Sequence, residues 1–147
     1  MLAKFPDVTL SVAGSVCEVL NVPPAMANNV KLLGFVDDLA QAHVLFGAEN
    51  AFVGTGLHGF FDELVTSCWR TRGFGDFWGH MLVARGAAHV MIEPELSMWD
   101  VAALEPIVSE AGGRLTHLDG SSWKAKGSCV TTCGSLHGEV VRLATAP

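Results

Sequence analysis

The chain is 147 residues long, carries 15 acidic and 9 basic side chains for a formal charge of −6, and is 50% apolar and 16% charged. That is one domain's length, enough to bury about 68–70% of its unfolded surface, and its apolar content excludes a disordered tail. The acidic balance, with no Lys/Arg run, argues against nucleic acid or an anionic membrane as partner; no apolar stretch approaches the ~18 residues of a spanning helix, and residues 1–10 lack the apolar core of a leader.

In chain order, residues 8–12 read as a short strand and Pro23-Pro24 breaks the chain. Met26, Val30, Leu33, Leu39 and Val44 then suggest a loosely amphipathic helix over 26–45. Asp37 and Asp38, adjacent on such a helix, point different ways and make a poor joint metal site. Residues 47–59 carry glycines and read as a loop. Residues 1–60 thus form a poorly assigned N-terminal segment without a clean period. We expect 14–59 to be the least ordered and least packed part of the chain.

From residue 61 to 147 the signals sharpen into an α/β half-domain. Gly75-Asp76 before 77–85, with Gly86 after, is an N-cap, a short helix and a glycine stop. Ala88, Val90 and Ile92 alternate with His89, Met91 and Glu93 in a strand ending at Pro94. Ser97-Met98-Trp99-Asp100 resembles a capping box. Val101, Leu104, Val108 and Ala111 supply the apolar stripe of the helix it opens, Gly112-Gly113 ends that helix, and Pro106 predicts a kink within it. Strands over 114–118 and 129–132, the Asp119-Gly120 turn between them, and a helix over 136–143 complete the order.

The cysteines Cys17, Cys68, Cys129 and Cys133 form no disulfide framework in a chain of this size, so reduced thiols in a cytoplasmic protein are expected. Cys129-x-x-x-Cys133 lacks the second close Cys/His pair of a zinc site. The six histidines make no His-x-His or His-x-x-x-His pair and read as structural.

The run Ile92-Glu93-Pro94-Glu95-Leu96-Ser97-Met98-Trp99-Asp100 carries the chemistry. Asp100, in a first helical turn, lies in the positive end of the helix dipole, which favours its ionised form. A carboxylate there suits a hard cation such as Mg²⁺ beside a phosphate, or else simply caps its helix. Glu93 ends a strand seven residues earlier and faces the same cleft or the surface.

Trp-Asp-x-Ala-Ala at Trp99–Ala103 followed by Glu110-Ala111-Gly112-Gly113 resembles the C-terminal signature of the inositol monophosphatase family. Arg70-Thr71-Arg72-Gly73-Phe74-Gly75-Asp76-Phe77-Trp78-Gly79-His80, with Glu93-Pro94-Glu95-Leu96 before Trp99-Asp100, is most similar to its bacterial histidinol-phosphatase branch. The tail Thr131-Thr132-Cys133-Gly134-Ser135-Leu136-His137 is similar to the family's closing strand and helix, with a cysteine where asparagine is usual.

The resemblance implies the C-terminal half of a layered α/β/α/β/α sandwich, a mixed sheet flanked by helices. It implies Asp100 as a Mg²⁺ ligand that also orients substrate, Glu93 against the substrate's non-phosphate part, and Asp76 near the substrate loop, where it either meets the amine of histidinol phosphate or caps its helix. Arg70 and Arg72 are phosphate clamps or solvent-paired arginines. Trp78 and Trp99 are expected in the core.

Two family segments, Gly-Glu-Glu and Asp-Pro-x-Asp-Gly-Thr, supply most metal ligands and do not occur in this sequence. Hydrolysis through two ions ~3.5–4 Å apart needs several carboxylates, and Asp100 with Glu93 is too few. The expectation is therefore a truncated or divergent Mg²⁺-dependent phosphomonoesterase of histidine biosynthesis, acting on histidinol phosphate or inositol phosphate. The rival is a non-catalytic fragment or pseudo-enzyme that keeps the fold. A homo-oligomer is left open.

Overall fold

Strand pairing joins segments that lie far apart in the sequence. The computed structural model describes residues 10–13, 23–34 and 36–147. Among them, β1 (Leu10–Ala13) and β2 (Val30–Gly34) form a separate two-stranded parallel sheet. The strand expected over 8–12 overlaps β1, and residues 8 and 9 lie outside the described residues.

The main sheet is built from β3 (His43–Phe46), β4 (Arg70–Gly73), β5 (Val90–Ser97), β6 (Gly113–Thr116) and β7 (Lys126–Cys133). Its order is β4-β3-β5-β7-β6. β3 runs parallel to β4 and β5, while β7 runs antiparallel to β5 and β6. The helices are α1 (His58–Ser67), α2 (Phe77–Ala84), α3 (Met98–Val101), α4 (Leu104–Glu110) and α5 (His137–Ala144).

Alternation along the strands divides the core in two. Val44, Val90, Ile92 and Val130 pack with Phe60, Phe61 and Leu64 of α1 and Val140 and Leu143 of α5. Leu45 and Met91, one residue out of phase, pack with Val83 of α2 and Ala88. Helices therefore cover both faces of a mixed sheet, the expected α/β layering.

The helix expected over 26–45 is not there. A 3₁₀ turn over Pro24–Asn29, β2, a second 3₁₀ turn over Leu39–Gln41, and β3 occupy it instead. The steps from Leu33 to Leu39 and on to Val44 do not fit a 3.6-residue period, and strand pairing overrides the helical start. Asp38 caps the turn, its carboxylate accepting from the Ala40 N–H at 2.9 Å.

Nor is the segment before residue 60 peripheral from Val36 onward: Val36, Leu39, Ala42, Val44, Leu45 and Phe52 are all buried. β3 lies inside the sheet, so the boundary drawn at 60 cuts a packed unit. The remainder of the 14–59 expectation falls partly outside the described residues.

Local signals after residue 60 hold closely. α2 and α5 stand where they were read, Gly86 takes the left-handed φ of 75° that ends α2, and β6 turns through Asp119-Gly120. β5 runs past Pro94, and its register against β7 slips by one residue between Glu93 and Leu96. Such a bulge accommodates a proline that has no N–H to give. It also separates Glu93, which is buried, from Glu95, which is exposed. Pro106 has its expected effect: the helix breaks at Ala102-Ala103, leaving Pro106 in the first turn of α4.

Candidate active-site cleft

The chain enters α2 through Asp76, whose backbone lies at φ 60° and ψ −151°. That region is nearly reserved for glycine and costs about 1–3 kcal/mol. Asp76 occupies the N-cap position, yet its side chain makes no capping hydrogen bond. Across from it, α3 begins after Ser97. The Ser97 N–H donates to Asp100 Oδ2 at 3.0 Å, which is the expected reciprocal half of a capping box and leaves Oδ1 open.

Between α2 and the α3–α4 break lies a cleft of about 600 Å³, lined by Asp76, His80, Glu95, Trp99, Asp100 and Ile107 among others. Glu95 is ion-paired to Lys126 Nζ at 2.9 Å. Asp76 and Asp100 thus share one cleft.

Glu93 is buried at 7% exposure and opens on a neighbouring cleft of about 640 Å³ with Thr55 and Leu57. Glu95 lines both spaces. Burial first, then the charges of Asp76 and Asp100, push the Glu93 acid up to about 7. The three carboxylates are therefore in electrostatic contact although they line two adjoining spaces. Glu93 is seated against Gly47, where any Cβ would overlap its carboxyl group. The glycine after β3 reads in the sequence as an ordinary turn, so this contact had no local signal.

His80 was also missed. It is wholly buried, its Nδ1 lies 2.8 Å from the Thr131 hydroxyl, and its Nε2 has no hydrogen-bond partner among the described residues. Burial holds the ring neutral, with a pKa lowered to about 4.

The other histidines do structural work. His137 bridges the Thr116 and Thr132 hydroxyls. His117 donates from Nδ1 to the Ser128 carbonyl and accepts from the Lys124 N–H on Nε2.

Trp78 and Trp99 are not core residues. They are 47% and 82% exposed, because α2 buries Gly79, His80 and Val83 instead and Trp99 stands at the cleft rim. Arg70 lies 5.9 Å from the Trp69 ring and Arg72 donates to the Thr71 carbonyl at 2.7 Å; neither lines a cleft described above. Cys68, Cys129 and Cys133 are free thiols, and burial pushes Cys129 up to about 12. Cys17 lies outside the described residues.

No group of three or more His, Cys, Asp or Glu side chains that could hold a metal ion is gathered among the described residues. Asp100 offers one free carboxylate oxygen. These residues alone do not fit a two-ion centre. No helix among them is long and apolar enough to cross a membrane.

Comparison with known proteins bears on this cleft. Residues 37–146 match the profile of the inositol monophosphatase family. The chain is 44% identical over 106 residues to the histidinol-phosphatase of Mycobacterium tuberculosis, covering 72% of this chain and 41% of that protein. It is 42% identical over 107 residues to the histidinol-phosphatase of Streptomyces coelicolor, covering 72% and 40%. The chain thus spans about two fifths of the length of these relatives.

Among solved structures, an inositol monophosphatase from Anabaena (Nostoc) superposes with a TM-score of 0.66 at 27% identity, over 74% of this chain and 44% of that one. One from Zymomonas mobilis, at 23% identity, shares the fold with a TM-score of 0.69 over 74% and 44%.

Proposed function

The chain belongs to the inositol monophosphatase family, and from that premise we propose that it is the substrate-recognising part of a Mg²⁺-dependent, histidinol-phosphatase-like phosphomonoesterase, a cytoplasmic enzyme of histidine biosynthesis. The observation that carries this reading is the placement of Asp76 and Asp100 in one cleft with Glu93 in the adjoining one, Glu95 lining both. In this reading Asp100 Oδ1 is the cation ligand, Asp76 meets the substrate amine, and Glu93 contacts the alcohol portion. A cation entering this neighbourhood favours ionised Glu93 and draws its proton away. Bound Mg²⁺ would supply charge for the phosphate oxygens. The residues described here bind and orient; they do not by themselves complete the ion site. The histidinol-phosphatase relatives favour histidinol phosphate over inositol phosphate as substrate.

A second reading, a domain that keeps the fold without the chemistry, is favoured by the absence of any three-donor cluster among the described residues. A phosphate-release assay on histidinol phosphate, with millimolar Mg²⁺, with chelator and with Asp100→Asn, separates the two. We expect no useful turnover from the 147-residue chain, and weak Mg²⁺ binding that Asp100→Asn removes. Turnover abolished by both chelation and the substitution would mean that residues outside our assignment complete the centre. Absence of Mg²⁺ binding altogether would favour the second reading.

A further inference from the structure

We infer that the space behind α3, between the α3–α4 break and the β6–β7 connection, is a second ligand site that takes a small organic cation, with Trp123 as its aromatic wall and Glu105 as its counter-ion. It lies on the other side of α3 from Asp76 and Asp100. Trp99 and Asp100 line the cleft described above, whereas Met98 and Val101 line this one, together with Glu105, Leu115, Ser122 and Trp123. Its volume is about 450 Å³, room for one ring and a short charged arm. None of these six residues enters the reading of the Asp100 cleft.

The connection from β6 to β7 holds one indole still. Trp123 Nε1 donates to the Ser128 carbonyl at 3.1 Å, and its ring stacks on His117 with centroids 5.5 Å apart. His117 is itself fixed at both nitrogens, by the same carbonyl and by the Lys124 N–H, and the Leu118 N–H donates to the Ser128 hydroxyl. Ala125 takes a left-handed φ of 51°, which an L side chain adopts only at a cost. Gly127, at φ 142°, passes so near His117 that a Cβ would stand 3.0 Å from its ring. The hydrophobic core does not account for this restraint, since Met98, Leu115 and Trp123 belong to neither core cluster. His117 borders the cleft on one side of the stacked pair and Trp123 the cleft on the other, so the indole serves the space behind α3.

The charge of the occupant follows from the lining. Glu105 is exposed in the first turn of α4 and, unlike Glu95, makes no ion pair among the described residues. No basic side chain lines this space. A lone exposed carboxylate attracts a cation only weakly in water. A cation set against an indole face gains a second attraction, and a wall already fixed in place loses little freedom on binding. Met98, Val101 and Leu115 offer the rest of the ligand an apolar bed. A neutral ring would use that bed alone, and an anion would meet the Glu105 carboxylate.

Titration of the 147-residue chain with 2-phenylethylammonium and with neutral 2-phenylethanol tests this, following the indole N–H signals by NMR. Those of Trp123 and Trp99, assigned by substitution, report the two sides of α3. We expect the Trp123 signal to move while that of Trp99 stays, and the ammonium to bind about fivefold tighter than the alcohol. Glu105→Gln, at an exposed position, should reduce that preference to about twofold or less. Trp123→Phe should keep part of it and Trp123→Leu lose it; if the latter does not fold, Glu105→Gln decides the matter. A Trp123 signal unmoved at millimolar ammonium, equal binding of the two probes, or a full preference surviving in Glu105→Gln overturns the assignment. So does a shift centred on Trp99, which would put the probe in the Asp100 cleft. A Trp123 signal that moves with protein concentration alone also overturns it, because a second copy would then cover the space.

Discussion

Seated against Gly47 and under the influence of two aspartates, Glu93 has exchanged water for an environment that disfavours its charge. Its folded pKa of about 7 stands above the ordinary 4.5, so the folded chain binds a proton that the unfolded chain has released. Between those values stability declines as pH rises. Glu93→Gln should therefore stabilise the protein at pH 8, by up to about 3 kcal/mol, and change little at pH 4. Paired urea titrations at the two pH values check this. Asp100→Asn should lower the Glu93 midpoint without returning it to 4.5, because burial is the larger cause; carbon-detected NMR titration of the side chain reads it directly. Gly47→Ala puts a methyl group where that carboxyl sits. It should cost about 1–3 kcal/mol and change the Glu93 titration, and a variant as stable as the parent with an unchanged titration would show the seat to be loose.

Four residues long and buried on both faces, β3 has no room to display a period. Val44 belongs to one core cluster and Leu45 to the other, and Phe46 meets Phe61 edge-on at 5.0 Å. Leu45→Ala should cost about 2–5 kcal/mol, as a central core truncation does. Its amides should exchange as slowly as those of β5, and fast exchange across β3 would restore the peripheral reading. The contrast with α2 explains what could be read from sequence. The limits of α2 are set by Gly75-Asp76 and Gly86, neighbours in the chain, whereas the place of β3 is decided by partners at Arg70–Gly73 and Val90–Ile92. The site divides the same way. The Ser97–Asp100 contact spans three residues and was legible; His80 and Thr131 are 51 apart, and nothing local announces that they touch.

Taken as a whole, the molecule folds around histidines kept neutral. Burial lowers His43, His80, His89 and His137, with Arg70, His43 and Arg114 adding to the effect on His43, His89 and His137 respectively. A lowered histidine pKa contributes stability above the ordinary 6.5 that is lost as pH falls toward the folded value. His80, lowered to about 4, and Glu93, raised to about 7, act in opposite directions over similar spans. In Glu93→Gln, which removes that opposing carboxyl, chemical denaturation at pH 7.0 and pH 5.0 should give the lower midpoint at pH 5.0, and a rise on acidification would show that these rings titrate freely.

The strand order also governs the chain's birth. β5, the middle strand, joins Val44, 46 residues behind Val90, to Thr132, 42 residues ahead of it. As the polypeptide leaves the ribosome, β3 and β4 emerge before β5, so the strand that must occupy β3's other edge is still unmade. Non-local pairing of this kind folds slowly, and an apolar strand with an open edge pairs readily with any similar strand nearby. Neighbouring nascent copies on one messenger present just such strands, so β3 is most vulnerable to the wrong partner during synthesis, before β5 has emerged.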